Sequence, residues 1–317
     1  MYYLGIDLGG TNIAVGVVND AYKIVGRGQR KTNLPRPAEA ILDDMAAAAE
    51  EAVADAGLTM ADIVGCGIGS PGSVDIKTGM IYTSNNLKFD NLPMKQEMEA
   101  RLKVNCIVHN DANAAALGEM LCGAGKGTKS FVAITLGTGV GGGVILNNQM
   151  LTGSYYAGAE LGHMVIAMNG EPCKCGREGC WETYASATAL IRQTKQKMEE
   201  CKDSKMWEIA EANGGKVDGR TAFDGMRAGD IAAKAVVDRF CEYVAVGATN
   251  IVNIFQPEVL CIGGGISKEG ETLLSPIRSY VRNNCYGKNH SEHTEIKAAE
   301  LGNDAGIIGA AFLHTLS

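Results

Sequence analysis

The sequence has 317 residues, 46% of them hydrophobic and 21% charged, with a formal net charge of −7. That length allows one large domain or two of ordinary size with a sizeable core. The acidic balance without a long basic run argues against a nucleic-acid surface, and no apolar stretch approaches the ~20 residues that cross a bilayer.

The chain opens MYYLGIDLGG, with neither a basic leader nor a long apolar core, so export is not expected and a cytoplasmic location is. Most of the ten cysteines should then be reduced, and Cys66, Cys106, Cys122, Cys241 and Cys261 read as buried small hydrophobes.

The first element, GIDLGGTNIAVGVV over 5–18, reads as a β-hairpin with a glycine-rich turn. An amphipathic helix follows over 37–57, entered by Pro37 and stopped at Gly57. Residues 62–75 are strand then turn, and 106–125 strand then helix. AITLGTGVGGGVIL over 133–146 then repeats the opening hairpin: an apolar start, an acidic or hydroxyl residue (Asp7, Thr135), Leu-Gly, a Gly/Thr turn and a second apolar run. Helices are expected over 183–200, 206–212 and about 229–254. The stretch 201–224 carries no functional signal and reads as an exposed excursion. VLCIGGGIS over 259–267 turns from a strand into a helix around 269–284, and the strand 295–299 precedes a last helix around 304–315. Alternating strands and helices indicate the α/β class, and the duplicated hairpin suggests two such domains facing each other across a cleft.

Glycines at a strand–turn–strand junction let the backbone approach a ligand, and exposed amides there cradle phosphate oxygens. Either hairpin alone could be an unliganded turn; repetition of the glycines and of Thr11 and Thr138 favours phosphate. Neither is a Walker loop or a dinucleotide fingerprint, because a strand rather than a helix follows. The glycine turn of 259–267, ahead of a helix, suits amides facing a nucleotide.

CKCGREGCWE over 173–182 supplies Cys173, Cys175 and Cys180, with His163 upstream. Three thiolates and an imidazole form a Cys3His set, a common composition for structural zinc, and one short loop can wrap the ion. Lys174 and Arg177 would help hold the thiolates deprotonated. A redox pair would leave Cys180 and His163 unexplained, and four protein ligands leave no position for a reacting water, so the role is read as structural. An ion there would also position Glu160 and Glu182 and turn the free edge of His163 towards a ligand. Glu182 could equally be a surface acid on the following helix, and Asn110 or Asp111 would serve as a helix cap.

In order, DLGGTN, NDANAAALGE, TLGTGVGGGV, GAELGH and CKCGREGCWE resemble the ROK family of bacterial sugar kinases and sugar-responsive repressors. The resemblance runs from residue 4 to the C-terminal helix and is greatest to the family's glucokinases. It implies a duplicated actin-like (ribonuclease-H-like) ATPase fold, with two domains and an active-site cleft between them. The smaller would span 1–112 and be rejoined by about 302–317, and the larger would span 113–301 and carry the zinc loop 163–180.

The implied activity is ATP-dependent phosphorylation of glucose at the 6-hydroxyl, giving glucose 6-phosphate and ADP. Alternatives within the family are kinases for N-acetylglucosamine, mannose, N-acetylmannosamine or fructose, and beyond them a non-catalytic sugar sensor. Positions matching Asn86, Asn110, Glu160, His163 and Glu182 bind sugar in the family. Asp111 matches its catalytic aspartate, which turns the reading of that residue from cap to base. The family's zinc motif likewise supports Zn2+ on His163, Cys173, Cys175 and Cys180.

Phosphoryl transfer needs the phosphates held, their charge neutralised and the hydroxyl aligned. ATP would be held by Asp7, Gly9, Gly10, Thr11 and Asn12 in the first hairpin, by Thr138 and Gly139 in the second, and by Gly264 and Gly265, with Asp7 ordering Mg2+. The family's repressors carry a helix-turn-helix before the first hairpin. Here that hairpin begins within the first ten residues, so no nucleic-acid partner is expected, and without a long apolar stretch no membrane partner is expected either. A homo-oligomer, dimer or tetramer, is.

Overall fold

The computed structural model describes residues 1–84 and 86–316. In chain order the elements are β1 (Tyr2–Leu8), β2 (Asn12–Asn19), β3 (Ile24–Lys31), α1 (Ala38–Asp55), β4 (Ile63–Ser70), β5 (Ser73–Asp75), β6 (Met80–Ser84), β7 (Phe89–Leu92), α2 (Met94–Leu102), β8 (Cys106–Asn110) and α3 (Asp111–Cys122). They continue with β9 (Phe131–Leu136), β10 (Val140–Leu146), β11 (Gln149–Met150), α4 (Glu182–Ala185), α5 (Ala187–Glu200), α6 (Met206–Ala212), α7 (Thr221–Arg227) and α8 (Ile231–Phe255). β12 (Val259–Gly263), α9 (Glu271–Asn284), β13 (Glu295–Ala298) and α10 (Asp304–Ala311) complete the chain.

Two five-stranded sheets share one strand order. The first runs β3-β2-β1-β4-β8 and the second β11-β10-β9-β12-β13. In the first, β1 pairs antiparallel with β2 and parallel with β4, and β4 pairs parallel with β8. The second repeats the scheme where β10 runs antiparallel to β11 and β12 parallel to β13. Each glycine hairpin is thus the β1–β2 or β9–β10 step of the same topology, which is the duplicated α/β fold that the repeat in the sequence implied.

Contacts divide the chain into two compact units, one of residues 1–133, 143–159 and 300–317, the other of 134–142 and 160–299. The division read from sequence, at 112/113, differs because α3 packs against α10 and stays with the first unit. That packing depends on missing side chains. A β-carbon on Gly118 would lie 2.2 Å from Ala305 O, and one on Gly309 would lie 1.7 Å from Ala114 O. The sheet receives α10 in the same way, with Gly5 against Ile307 O and Gly67 against Ala310 O. On the other side of the sheet the core closes on α1, where Ile41, Leu42, Met45 and Ala49 are buried with Leu4, Ile6 and Val15.

A second device ties α3 to the C-terminal segment. Glu119, 3% exposed, accepts the amides of Ala124 (3.0 Å), Glu300 (3.1 Å) and Leu301 (2.8 Å).

In the second unit α8 begins at Asp230, whose Oδ1 accepts the Ala232 and Ala233 amides at 2.7 and 3.1 Å. The helix read over 183–200 is two, because the Ser186 hydroxyl accepts the Ala189 amide and starts α5 afresh. The last helix ends at Ala311 and passes into a 3-10 turn over Leu313–Leu316. Residues 201–224 are not an exposed excursion: Met206, Ala222 and Phe223 are fully buried, and α7 packs on α8. Four of the five single cysteines are buried as expected, while Cys122 is half-buried.

Candidate functional site

In the first unit the β1–β2 turn is closed by Gly9 N donating to Asn12 O at 2.9 Å. Thr32, fully buried, braces it from β3's end: its hydroxyl donates to Gly9 O at 2.7 Å and its amide to Thr11 O at 2.9 Å. The Asn12 carboxamide oxygen accepts from Lys31 Nζ at 2.8 Å, which places a cation beside the turn. Asp7 ends β1 in a poorly solvated position, and burial, with the nearby Asp111 charge adding to it, pushes its carboxyl up to about 6.

Asp111 is the first residue of α3, where the helix dipole favours an anion. The cap that the sequence left between two residues belongs to Asn110: its Oδ1 accepts the Ala112 and Asn113 amides at 2.9 and 3.2 Å. Asp111 Oδ1 accepts the Ala112 amide at 2.9 Å as well. Beneath them His109 is held neutral, because burial pushes its imidazole down to about 4. Its Nδ1 accepts the Asn110 amide at 3.1 Å. Asn86 sits on the exposed turn between β6 and β7.

In the second unit the β9–β10 tip is closed by Gly137 N donating to Gly139 O at 3.0 Å. The turn after β12 lies directly on it: Gly264 has φ +90°, and a β-carbon there would meet Leu136 O at 2.4 Å. The structure therefore brings Thr138 and Gly139 next to Gly264 and Gly265. Gly10, Gly137 and Gly265 have open space where a β-carbon would lie, and none has a positive φ. Neither packing nor a positive φ demands glycine at these three positions.

The metal loop is built by short-range backbone pairing. Val165 bridges Cys180, Pro172 bridges Glu178, and Cys173 N donates to Arg177 O at 2.8 Å. Trp181, fully buried, anchors the loop to α8: its Nε1 donates to Tyr243 O at 2.8 Å, and its ring fills the space that Gly247 leaves open.

The ligating atoms of His163, Cys173, Cys175 and Cys180 all lie within 4.8 Å of one another. Cys175 and Cys180 are 3.6 Å apart at sulfur, and Cys173 Sγ is 3.7 Å from His163 Nδ1. Zn–S bonds of ~2.3 Å and Zn–N bonds of ~2.1 Å in a tetrahedron give edges of about 3.5–3.8 Å, so the donor set fits zinc in both chemistry and spacing. Zinc so held supplies a structural crosslink. The Arg177 amide, ahead of its guanidinium charge, holds the Cys175 thiol below its ordinary value. Burial pushes Cys173 up to about 12, so metal binding has a proton to displace there. His163 uses Nδ1 towards the cysteines, which leaves Nε2 for another partner.

Glu182 opens α4 and faces the metal loop, with Oε1 3.1 Å from Cys173 Sγ. The surface-acid alternative for it does not hold. Glu160 precedes the 3-10 turn that carries His163, and its carbonyl accepts the His163 amide at 3.0 Å.

The profile of the ROK family matches residues 3–316. The chain belongs to the ROK family. Its ROK relatives include the glucokinase of Halalkalibacterium halodurans, 38% identical over 98% of this chain and 94% of that protein. The glucokinase of Thermotoga maritima is 38% identical over 97% of this chain and 95% of that protein. Among solved structures, a ROK family glucokinase from Streptomyces griseus, in complex with glucose and AMPPNP, matches with a TM-score of 0.83 at 35% identity, covering 99% of both chains.

Several residues that support these candidate positions escaped the sequence reading. In the first unit Thr32 and His109 hold the β1–β2 turn and the start of α3, and Gly306 makes room for Asp7; in the second Trp181 anchors the metal loop. Trp181 and His109 lie beside motif residues in the chain, whereas Thr32 and Gly306 act across the fold.

Proposed function

We infer that this chain is an ATP-dependent glucokinase, transferring the γ-phosphoryl group to the 6-hydroxyl of glucose to give glucose 6-phosphate and ADP. Its family, the full-length 38% identity to glucokinases and the relative holding glucose and AMPPNP support that substrate pair. The chemistry rests on one observation, the pair of aspartates at the ends of β1 and β8, near enough for one charge to perturb the other.

In this reading Asp111 accepts the proton of the 6-hydroxyl from the first turn of α3. Asp7 orders Mg2+ on the phosphates, directly or through water. Gly9, Gly10, Thr11 and Asn12, with Thr138, Gly139, Gly264 and Gly265, contact the nucleotide. Asn86, Asn110, Glu160, His163 and Glu182 hold sugar hydroxyls, with zinc on His163, Cys173, Cys175 and Cys180 keeping that wall in shape. We further propose a cytoplasmic homo-oligomer; among the described residues no helix is long and apolar enough to cross a membrane.

The test is ADP release with Mg2+–ATP against a panel of hexoses and N-acetylhexosamines, with Asp111→Ala alongside. Glucose should give the highest kcat/KM, and the variant should lose turnover while still binding glucose. A better substrate elsewhere in the panel would move the specificity, and retained turnover in the variant would remove Asp111 as the base.

A further inference from the structure

The β9–β10 tip that this reading assigns to the phosphates is held from outside the sheet. Glu182 Oε2 accepts the Val140 amide at 3.4 Å and would lie 2.4 Å from a β-carbon on Gly139. Gly162, next to His163, faces Val140 O so closely that a β-carbon there would be 2.1 Å away. The Ala187 amide donates to Gly137 O at 2.8 Å, and the Thr188 hydroxyl donates to Thr138 O at 2.8 Å. Each of the four positions 137–140 is thus engaged by a residue flanking the metal loop, Gly162 or Glu182, or by the first turn of α5.

In a trans peptide the carbonyl and the following N–H point in opposite directions. A donor on Gly137 O therefore turns the Thr138 amide outward, and a donor on Thr138 O does the same for the Gly139 amide. Among the described residues neither of these two amides donates to another group. They are left as a pair of aligned donors, the arrangement that binds phosphate oxygens. A glycine-rich tip without these braces would spread over many conformations and would lose more entropy on gripping a phosphate.

We propose that the metal loop and the start of α5 set the affinity for the nucleoside triphosphate by fixing the 137–140 tip. Thr188 is a positioning residue in that arrangement, acting through the Thr138 carbonyl. The inference rests on the kinase reading of the hairpin. It extends the zinc loop's role from the sugar wall to the nucleotide.

The experiment is calorimetric titration of AMPPNP with Mg2+ into wild type, Thr188→Ala and Thr188→Ser, with glucose titrated separately and zinc content measured for each. Thr188 is solvent-exposed, so the variants are expected to fold, and a thermal melt checks this. Thr188→Ala should weaken AMPPNP binding by about two- to tenfold, the range one hydrogen bond supplies. Zinc content and glucose affinity should not change, and Thr188→Ser should restore AMPPNP binding. Stripping zinc from wild type should weaken AMPPNP at least as much. Unchanged AMPPNP affinity in Thr188→Ala, or equal losses for AMPPNP and glucose, would overturn the inference while leaving the kinase reading intact. A wild type that binds no AMPPNP at all would overturn the kinase reading and this inference with it.

Discussion

Gly306 presents a bare α-carbon to Asp7: a β-carbon at residue 306 would lie 2.6 Å from Oδ2 and 2.7 Å from Cγ of the aspartate. The C-terminal helix α10 thereby passes directly over the carboxylate end of β1, and the burial of Asp7 follows from that approach. Gly306→Ala must push the carboxylate or the helix aside. The expected outcome is a loss of about 1–3 kcal/mol in denaturant melts, with a higher KM for ATP. An alanine variant with wild-type stability and KM would show that the two groups have room the structure denies them.

The same burial makes Asp7 a source of pH dependence. Its carboxyl binds a proton more tightly in the folded chain, about 6 against an ordinary 3.8, so folding is favoured at low pH and stability declines as pH rises from about 4 to about 6. Above that window the ionised group costs on the order of 3 kcal/mol in the ligand-free protein. Asp7→Asn should remove this slope and stabilise the ligand-free chain at pH 7.5 while abolishing efficient Mg2+–ATP turnover. Urea melts of both proteins at pH 4.5 and 7.5 read the difference; a wild type that loses nothing relative to the variant between the two pH values contradicts it.

Zinc should be present at one equivalent per chain and should matter to stability before it matters to chemistry. Cys180, fully buried, has no alternative partner of comparable strength within the loop, so Cys180→Ser should lower zinc content and melting temperature together. Metal analysis and thermal melts with and without a chelator check this. Full zinc content in the variant would mean that the remaining three donors suffice.

Glu119 is a buried carboxylate serving three backbone amides, two of them on the segment leading into α10. Glu119→Ala orphans all three, and charge-assisted bonds of this kind contribute about 1.5–3 kcal/mol each without adding fully. A loss of at least about 3 kcal/mol is expected, with proteolysis of the C-terminal segment rising in parallel. A variant within 1 kcal/mol of wild type, on the scale of a single neutral hydrogen bond, would assign those amides to solvent.

Much of the candidate site is local in the chain and was legible for that reason. The zinc donors Cys173, Cys175 and Cys180 lie in one turn of loop, and each glycine tip lies between two strands that pair because they are adjacent. The repeated hairpin was legible, while the shared strand order of the two sheets came only from the structure. The helix boundary at Ser186 and the cap at Asn110 were less legible, since Ser, Asn and Asp all compete for the same backbone amides and the winner depends on side-chain rotamer.

Spacing and residue type were therefore enough for the fold class, the two glycine hairpins and the cluster of candidate metal ligands, because each is a short-range pattern that forms from neighbours. They were not enough for what surrounds those patterns. Glu182 reaches Val140 across 42 residues and Thr188 reaches Thr138 across 50. Neither contact leaves a periodicity in the chain. The raised carboxyl of Asp7 likewise depends on a glycine in the last helix and on the neighbouring Asp111. Burial and electrostatics are properties of what folds against a residue, and no local run of amino acids encodes them.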